Sequence, residues 1–233
     1  MRPIITVTCG LWLCLQNAAF AQSHPVIVVE LYTSQGCSSC PPADDFLAML
    51  AMDPSIMPLA LHVDYWDYIG WADVFGNPKF ADRQRAYASF AGTRTIYTPQ
   101  FIVGGLDKVE GNDREETGEF IRKHLAAAKD IGLELSRTGN ILTIHADAKA
   151  ALGGNTTVQL VRYIPSQSVN IERGENAGKT ITYYNIVKSW QTLGNWTGDK
   201  ALDLQANVEG DDPLVVIVQH DGPAYIVAAA RLD

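Results

Sequence analysis

Two cysteines, Cys37 and Cys40, have the residue type and the spacing that best support chemistry in this chain. A thiolate attacks a disulfide, and a second cysteine one helical turn away can close an internal disulfide. The pair lies between an apolar strand predicted at 26–32 and a helix predicted at 41–50. The positive end of a helix dipole favours a thiolate. The pattern therefore predicts a redox dithiol, with an exposed Cys37 as the attacking thiolate and a more buried Cys40 as the resolving thiol.

Two other roles for this CxxC pair stay open. A static structural disulfide is one, although closing so short a loop removes little entropy from the unfolded chain. A metal site is the other: two thiolates can hold Cu(I), whereas zinc usually takes four ligands, and the chain has no second CxxC or HxxxH run. We predict no metal ligands and no cofactor.

Residues 1–21 predict a secretory signal peptide. Arg2 precedes an apolar stretch at 4–15, and small residues at positions 19 and 21 fit cleavage before residue 22. The stretch is too short to span a membrane, and no later segment reaches about 18 apolar residues in a row. An uncleaved N-terminal anchor is the alternative. We therefore expect an exported protein, periplasmic or secreted, without a membrane span after cleavage and with two of its four cysteines left in a disulfide-permissive setting.

The charge of the chain limits its partners. The whole sequence has 18 basic and 26 acidic residues, a formal net charge of −8, and loss of Arg2 makes it one unit more negative. Such an acidic balance argues against binding to nucleic acids or to anionic membranes. The expected partners are protein or small-molecule thiols and disulfides. The sequence makes no prediction of the oligomeric state.

The first half alternates strands and helices. After the dithiol helix we predict a strand at 56–64, an aromatic and helical insertion at about 65–92, and an apolar strand after Pro99. Asn77 followed by a proline predicts the start of a helix within the insertion. A last helix begins near 112 and ends at Gly132, since glycine commonly follows a helix. We place a domain boundary there.

The second half predicts strands only. A Gly-containing turn at 138–140 joins the first two strands as a hairpin. The predicted strands cover 133–136, 141–145, 157–164, 180–190, 201–208, 214–219 and 225–230. Seven strands over about 100 residues are typical of a two-sheet β-sandwich. We therefore expect an all-β sandwich-like domain at 133–233.

Several motifs resemble known families. The CxxC at a helix start, followed later by Thr-Pro before an apolar strand, resembles the thioredoxin superfamily. The segments YTSQGCSSCPPAD, HVDYWDYIGW, RQRAYA and YTPQFIVGG, and RGENAGKTITYYNIVKSW in the second half, resemble an exported family known mainly as a domain of unknown function. The resemblance implies an α/β thioredoxin-like domain at 22–132, with the insertion at about 65–92, followed by the sandwich.

The resemblance also implies roles for residues away from the cysteines. Pro99 is similar to the cis-proline that faces the CxxC in this superfamily, and Thr98 would offer its backbone to an extended substrate. An ordinary trans proline at a strand start is the alternative. Glu30 is similar to the buried acid that accepts the proton of Cys40. It lies seven residues before Cys37, one more than in thioredoxin, so a solvated strand glutamate is the alternative.

Other residues are candidates for substrate binding. Gly36 stands where thioredoxin has a tryptophan, which changes the surface that meets a substrate. The hydroxyl groups of Ser38 and its neighbour Ser39 could bond to a Cys37 thiolate. Asp64 and Trp66 could line a cleft beside the dithiol, with core packing as the alternative for the aromatic residues.

The remaining charged candidates are predicted to have no role in the site. We expect Arg83 and Arg85 to form a solvated helix face. Four histidines, His62, His124, His145 and His220, lack metal-ligand spacing, so structural or surface roles are expected for them. The sequence as a whole predicts an exported thiol–disulfide oxidoreductase. The alternative is a non-catalytic binding module of the thioredoxin fold that holds Cu(I), a peptide or a protein.

Overall fold

The computed structural model describes residues 19–21, 26–128, 131–149 and 151–232. Over these residues the chain is a mixed α/β protein with twelve strands, three α-helices and one 3-10 helix. The helices are α1 (Pro41–Leu50), α2 (Pro78–Phe90) and α3 (Arg114–Ala127), with the 3-10 helix at Asp67–Ile69. The strands are β1 (Ala19–Ala21), β2 (Ile27–Thr33), β3 (Ile56–His62), β4 (Gln100–Val103), β5 (Asp107–Glu110), β6 (Ile131–Thr138), β7 (Ile141–Ala148), β8 (Thr156–Asn170), β9 (Thr180–Trp196), β10 (Leu202–Asn207), β11 (Leu214–His220) and β12 (Ile226–Leu232).

Most of the predicted signal peptide lies outside the described residues. Its last three residues form β1, which pairs antiparallel with β6. Cleavage before residue 22 stays a prediction.

The strands form two sheets. The large sheet has eight strands in the order β12-β11-β8-β9-β3-β2-β4-β5, and the small sheet has the order β1-β6-β7-β10. Strands β2 and β3 run parallel in the centre of the large sheet, and β2 pairs antiparallel with β4 on its other side. This centre carries the helices α1, α2 and α3 and positions the CxxC pair.

The large sheet crosses the predicted domain boundary. The second half does form strands where the sequence predicts them, but β8, β9, β11 and β12 extend the sheet of the first half instead of forming a separate sandwich. The link runs through a bridge between Ala60 and Ile186, and Asn185 Nδ2 donates a hydrogen bond of 2.9 Å to the carbonyl oxygen of Pro58. The small sheet packs over this extension, so two layers are present at that end. Strand β11 is buried throughout Leu214–Gln219, as expected for a strand covered on both faces.

The predicted end of the third helix is wrong. Helix α3 ends at Ala127, and Gly132 lies within β6, where it pairs with Asp147 of β7. Strand pairing along the whole of β6 outweighs the local signal of a glycine after a helix. The predicted turn between β6 and β7 is confirmed, with Gly139 at a positive φ of 58°.

The two faces of the central sheet have separate cores. On one face α1 and α3 cover Val29 and Leu31 of β2, together with Phe101 of β4. On the other face α2 covers Val28 and Tyr32, and strands of the second half complete this core. Because side chains alternate along β2, Glu30 lies on the α2 face and Thr33 on the α1 face. This alternation decides which residues lie beside the cysteines.

Candidate functional site

The two cysteines form a disulfide at the start of α1. The S–S distance of Cys37–Cys40 is 2.12 Å and the Cα–Cα distance is 5.4 Å. Cys40 is the N-cap residue of α1, and Pro41 and Pro42 occupy its first turn. Prolines fit there because those amides have no intrahelical acceptor. The predicted placement of the CxxC at a strand–helix junction is confirmed.

The predicted exposure of Cys37 is wrong. Cys37 is 2% exposed and Cys40 is 1% exposed, whereas Ser38 and Ser39 between them are exposed. The cover comes partly from Asn176, whose Nδ2 donates hydrogen bonds of 2.9 Å to the carbonyl oxygens of both Gln35 and Cys37. The disulfide is therefore closed over from the second half of the chain, at a distance of 139 residues in sequence.

Asn176 lies in the connection between β8 and β9, residues 171–179, which we call the hairpin tip. Lys179 Nζ donates a 2.9 Å hydrogen bond to Asn176 Oδ1, so both ends of this amide are bonded. A Cβ atom on Gly174 would lie 3.3 Å from the Cβ of Trp71, which brings the tip against the aromatic insertion. Trp71 Nε1 in turn donates to Gln35 Oε1 at 2.8 Å. The residue types of this segment indicate only a turn between two strands, because Asn and Gly are common turn residues.

Three of the predicted substrate-binding residues come together around Trp66. Its Nε1 donates a 2.6 Å hydrogen bond to Thr98 Oγ1. A Cβ atom on Gly36 would lie 3.1 Å from the Cβ and 3.2 Å from the carbonyl oxygen of Trp66, so this residue packs closely against the turn before Cys37. The Thr98–Pro99 peptide bond is cis, as the resemblance implied.

A second contact joins Pro99 to the CxxC segment. The amide of Gly111 donates to the carbonyl oxygen of Pro99 at 3.0 Å. The next residue, Asn112, donates from Nδ2 to the carbonyl oxygen of Ser39 at 3.3 Å. A Cβ atom on Gly111 would lie 2.5 Å from the Cβ of Pro99, so only glycine allows this close packing. Pro99 and the disulfide loop therefore belong to one locality.

The other two predicted substrate-binding residues are Ser38 and Asp64. Ser39, rather than Ser38, has its Oγ 3.5 Å from the Sγ of Cys37. Asp64 is half-buried after β3, and its carbonyl oxygen accepts a hydrogen bond from the amide of Asp67 at 3.1 Å. The sulfur contact therefore lies one residue further along the chain than Ser38.

Glu30 does not serve as the acid beside Cys40. It is fully buried on the α2 face of β2, where Arg83 donates from Nε and Nη2 to its two carboxylate oxygens at 2.8 Å each. Tyr87 and Tyr32 donate to the same carboxylate at 2.6 and 2.9 Å. Alternation along β2 turns this carboxylate away from α1 and the cysteines.

Arg83 is also placed differently from its prediction. Its side chain is only 13% exposed, whereas Arg85 is exposed and pairs with Asp82, as a solvated face requires. Burial alone would lower the pKa of the Arg83 guanidinium, but the charge of Glu30 outweighs burial and raises it. The pair is an internal ion pair of the α2 face.

The acid on the cysteine side of the sheet is Asp44. It lies one helical turn after Cys40 on α1, and its amide donates to the carbonyl oxygen of Cys40 at 3.1 Å. Burial raises the pKa of Asp44 to about 7, and the nearby charge of His62 opposes that rise. The hydroxyl group of Thr33 on β2 also lowers this pKa, although no residue in the described ranges makes a hydrogen bond of full geometry to either carboxylate oxygen. The spacing of four from Cys40 within an apolar helix face was a usable signal that the sequence analysis missed.

A buried pair of polar side chains, His62 and Asp73, lies near Asp44. His62 Nδ1 lies 2.8 Å from Asp73 Oδ2, and both side chains are fully buried. The same Asp73 oxygen accepts the amide of Gln35 at 2.7 Å, which ties the pair to the turn before Cys37. Burial would raise the pKa of Asp73, but the charge of His62 and the hydrogen bonds from His62, Gln35 and Phe75 together lower it. The structural role of His62 is therefore to support, through Asp73, the turn that precedes Cys37.

The described residues contain no cluster of three or more His, Cys, Asp or Glu side chains arranged to hold a metal ion. Within the same ranges, none of the helices has the length and apolar character that crossing a membrane would require. Two of the other histidines pair locally: His124 contacts Asp107 at 2.7 Å and His145 contacts Asp203 at 2.8 Å.

Comparison with known proteins assigns the chain to a family. No curated protein matches it significantly. A crystal structure of an Agrobacterium tumefaciens protein, from a structural genomics consortium, is similar with a TM-score of 0.78 and 29% identity, covering 90% of this chain and 95% of that one. HBP35 of Porphyromonas gingivalis is similar in fold, with a TM-score of 0.60 and 15% identity over 92% of this chain and 76% of that one. Residues 28–219 match the family described as "Protein of unknown function (DUF1223)", and the chain belongs to that family.

Proposed function

We propose that this protein is an exported thiol–disulfide oxidoreductase whose first half is a thioredoxin-like unit. One observation carries the proposal: the Cys37–Cys40 disulfide closes the start of α1 one helical turn before Asp44, a buried carboxyl whose pKa is raised to about 7. A disulfide that served only stability would need no titratable group beneath it. The positive end of α1 favours the thiolate form once the disulfide is reduced.

The exchange transfers two electrons between two dithiol pairs. In the reducing direction, the Cys37 thiolate attacks one sulfur of a substrate disulfide, a mixed disulfide forms, and the other substrate sulfur leaves as a thiolate. The Cys40 thiolate then attacks the Sγ of Cys37. The Cys37–Cys40 disulfide re-forms, and the second substrate thiolate is released. The oxidising direction is the reverse, with a substrate dithiol as the electron donor.

Asp44 replaces Glu30 as the proposed proton acceptor. Cys40 must lose its proton before it attacks the mixed disulfide, and a carboxylate one helical turn away can take it. A pKa of about 7 allows Asp44 to accept this proton and release it again near neutral pH. His62 and Asp73 lie near it as a buried, hydrogen-bonded pair. Asp44 acts here on the resolving step and has no part in binding the substrate.

Access to Cys37 requires displacement of the hairpin tip. The two hydrogen bonds from Asn176 hold the tip on the carbonyl groups of Gln35 and Cys37. Each such bond contributes about 1 kcal/mol net, so the two together contribute about 2 kcal/mol to holding the tip closed. Trp66 and Thr98 border the opening and would contact an extended substrate segment.

The low exposure of Cys37 favours a second candidate, a binding module whose CxxC does not turn over. In that function the fold would hold a peptide or protein, or the reduced cysteines would hold Cu(I) as a two-thiolate site. Cu(I) in that case is cargo and takes no part in the exchange steps above.

Trapping of a mixed disulfide separates the two candidates. The Cys40→Ser variant lacks the resolving thiol, so with an exchange partner it should accumulate a covalent adduct through Cys37. Cys37→Ser is the matched control, because it removes the attacking sulfur and should give no adduct. The adducts are detected by mass spectrometry and are released by dithiothreitol.

A redox titration of the mature protein provides the second measurement. Mass-shift alkylation should show both cysteines changing state together, with a potential between about −270 and −120 mV, the range of known oxidoreductases. A pair that never cycles, together with tight one-to-one uptake of Cu(I), would overturn the exchange function in favour of the binding module.

A further inference from the structure

A second candidate site lies on the face of the large sheet opposite to α1. A cavity of about 470 Å³ opens between α2 and β9, and we call it the α2–β9 cavity. Its walls include Phe80 and Arg83 of α2, Trp190 of β9, and Pro223. Small-molecule sites commonly have volumes of about 300–1,000 Å³. The cavity is therefore large enough for a ligand of about two fused rings.

The charge of this cavity is opposite to that of the chain. Its lining includes three cationic side chains, Lys79, Arg83 and Lys188, and no Asp or Glu among the residues that the structure describes. The whole protein carries a net charge of −8. Lys188 is partly neutralised by Asp212 at 2.6 Å and Arg83 by Glu30 at 2.8 Å, so Lys79 supplies most of the local positive potential. A cleft with one sign of charge concentrates ligands of the opposite sign.

Arg83 is held in place through Nε and Nη2, and its Nη1 group is the part left for a ligand. Its Nε and Nη2 bond to Glu30, and Nη2 also donates to Gln219 Oε1 at 3.0 Å. The guanidinium carbon lies 3.7 Å from the centre of the Trp190 ring, within cation–π distance. No hydrogen bond joins Nη1 to any residue in the described part of the chain. Because the guanidinium is already fixed, its Nη1 group loses little entropy when it binds an oxyanion.

The cavity wall behind Arg83 is fixed by a chain of polar contacts. Trp190 Nε1 donates to Gln159 Oε1, and Gln159 Nε2 donates to Gln219 Oε1 at 3.1 Å. Gln219 Nε2 also donates a 2.7 Å hydrogen bond to the hydroxyl oxygen of Tyr87. The indole and the guanidinium are therefore both held in place before any ligand arrives, which is the arrangement of a preformed site.

We propose that the α2–β9 cavity binds a small organic anion that carries a flat apolar group. The anionic end lies at Arg83 Nη1 and Lys79, and the apolar group lies against Phe80 and Trp190. The proposal does not depend on thiol–disulfide exchange, because it uses none of the residues beside the cysteines.

Binding is tested with 2-naphthoate and its neutral analogue 2-naphthamide. Isothermal titration calorimetry of the full-length oxidised protein should give a dissociation constant of about 1 mM or tighter for the naphthoate, and binding of the naphthamide at least about tenfold weaker. The indole N–H resonance of Trp190 should shift during the naphthoate titration. Equal affinity for the two probes, or no shift at Trp190 up to about 20 mM naphthoate, would overturn the proposal.

Three variants locate the binding. Lys79→Gln removes an exposed positive charge from the cavity and should weaken naphthoate binding about fivefold. Lys123→Gln makes the same change on α3, on the opposite face of the sheet, and should change affinity less than about twofold. Ala86→Phe fills the cavity and should abolish the Trp190 shift. Equal effects of Lys79→Gln and Lys123→Gln would refute binding at this cavity.

Discussion

The Asp44→Asn substitution tests the buried carboxyl beneath the disulfide most directly. Asparagine has nearly the same shape but stays neutral at every pH. The folded protein holds the pKa of Asp44 at about 7, against 3.8 for the ordinary group. The folded state therefore binds this proton more tightly than the unfolded state does. Its contribution to stability is fully present below pH 3.8 and is lost as the pH rises towards 7.

The magnitude follows from the size of the shift. One pKa unit corresponds to about 1.4 kcal/mol, and about two units of the shift lie above pH 5. Between about pH 5 and about pH 9, Asp44 should therefore remove about 3 kcal/mol from the free energy of unfolding of the natural protein. The Asp44→Asn variant lacks this loss. The free energy of unfolding of the variant minus that of the natural protein should therefore be about 3 kcal/mol larger at about pH 9 than at about pH 5.

Urea denaturation of the oxidised parent protein and of the Asp44→Asn variant, at about pH 5 and about pH 9, measures this difference in the free energy of unfolding. Asp45→Asn is the matched control, since Asp45 is the exposed neighbour on α1 and its substitution should change the unfolding free energy by less than about 0.5 kcal/mol. Other titrating groups cancel in the comparison between variant and parent. A difference between Asp44→Asn and the parent that stays constant with pH would refute the raised pKa.

Three further substitutions test other contacts. Glu30→Gln removes the charge that compensates buried Arg83 and should lower the unfolding free energy by about 3 kcal/mol in urea denaturation; an unchanged midpoint would contradict a tight pair. Asn176→Ala removes both hydrogen bonds that hold the hairpin tip and should speed reduction of the disulfide by dithiothreitol about tenfold; an unchanged rate would exclude the tip as a gate. Gly104→Ala puts a Cβ 2.5 Å from the ring of His124 at a φ of +59° and should lower the melting temperature, with retained stability arguing against this packing.

Local signals in the sequence identified much of the fold. The apolar run before Cys37 and the prolines after Cys40 predicted the strand–helix junction, and Asn77 was confirmed as the cap of α2, where its side chain accepts the amide of Lys79. The positions of the later strands followed from alternation and turn residues. Each of these signals acts over a few residues, so a single sequence reports it.

The errors concern contacts between distant residues. A strand pattern states which residues are buried but not which sheet buries them, so β8 and β9 were assigned to a separate sandwich. The same limit applies to Glu30, since alternation along a strand buried on both faces does not say which helix covers which face. Asn176 covers Cys37 from 139 residues away, and no local pattern encodes such a contact.

The continuous large sheet has a practical consequence for protein engineering. A fragment that stops near residue 132 would remove β9 from the edge of β3 and strip the cover from Val28, Tyr32 and Leu61. Unpaired strand edges and exposed apolar patches of this kind promote aggregation. We therefore expect the cysteine-bearing half to need these strands for its stability, and biochemical work on its sulfur chemistry requires protein that retains them.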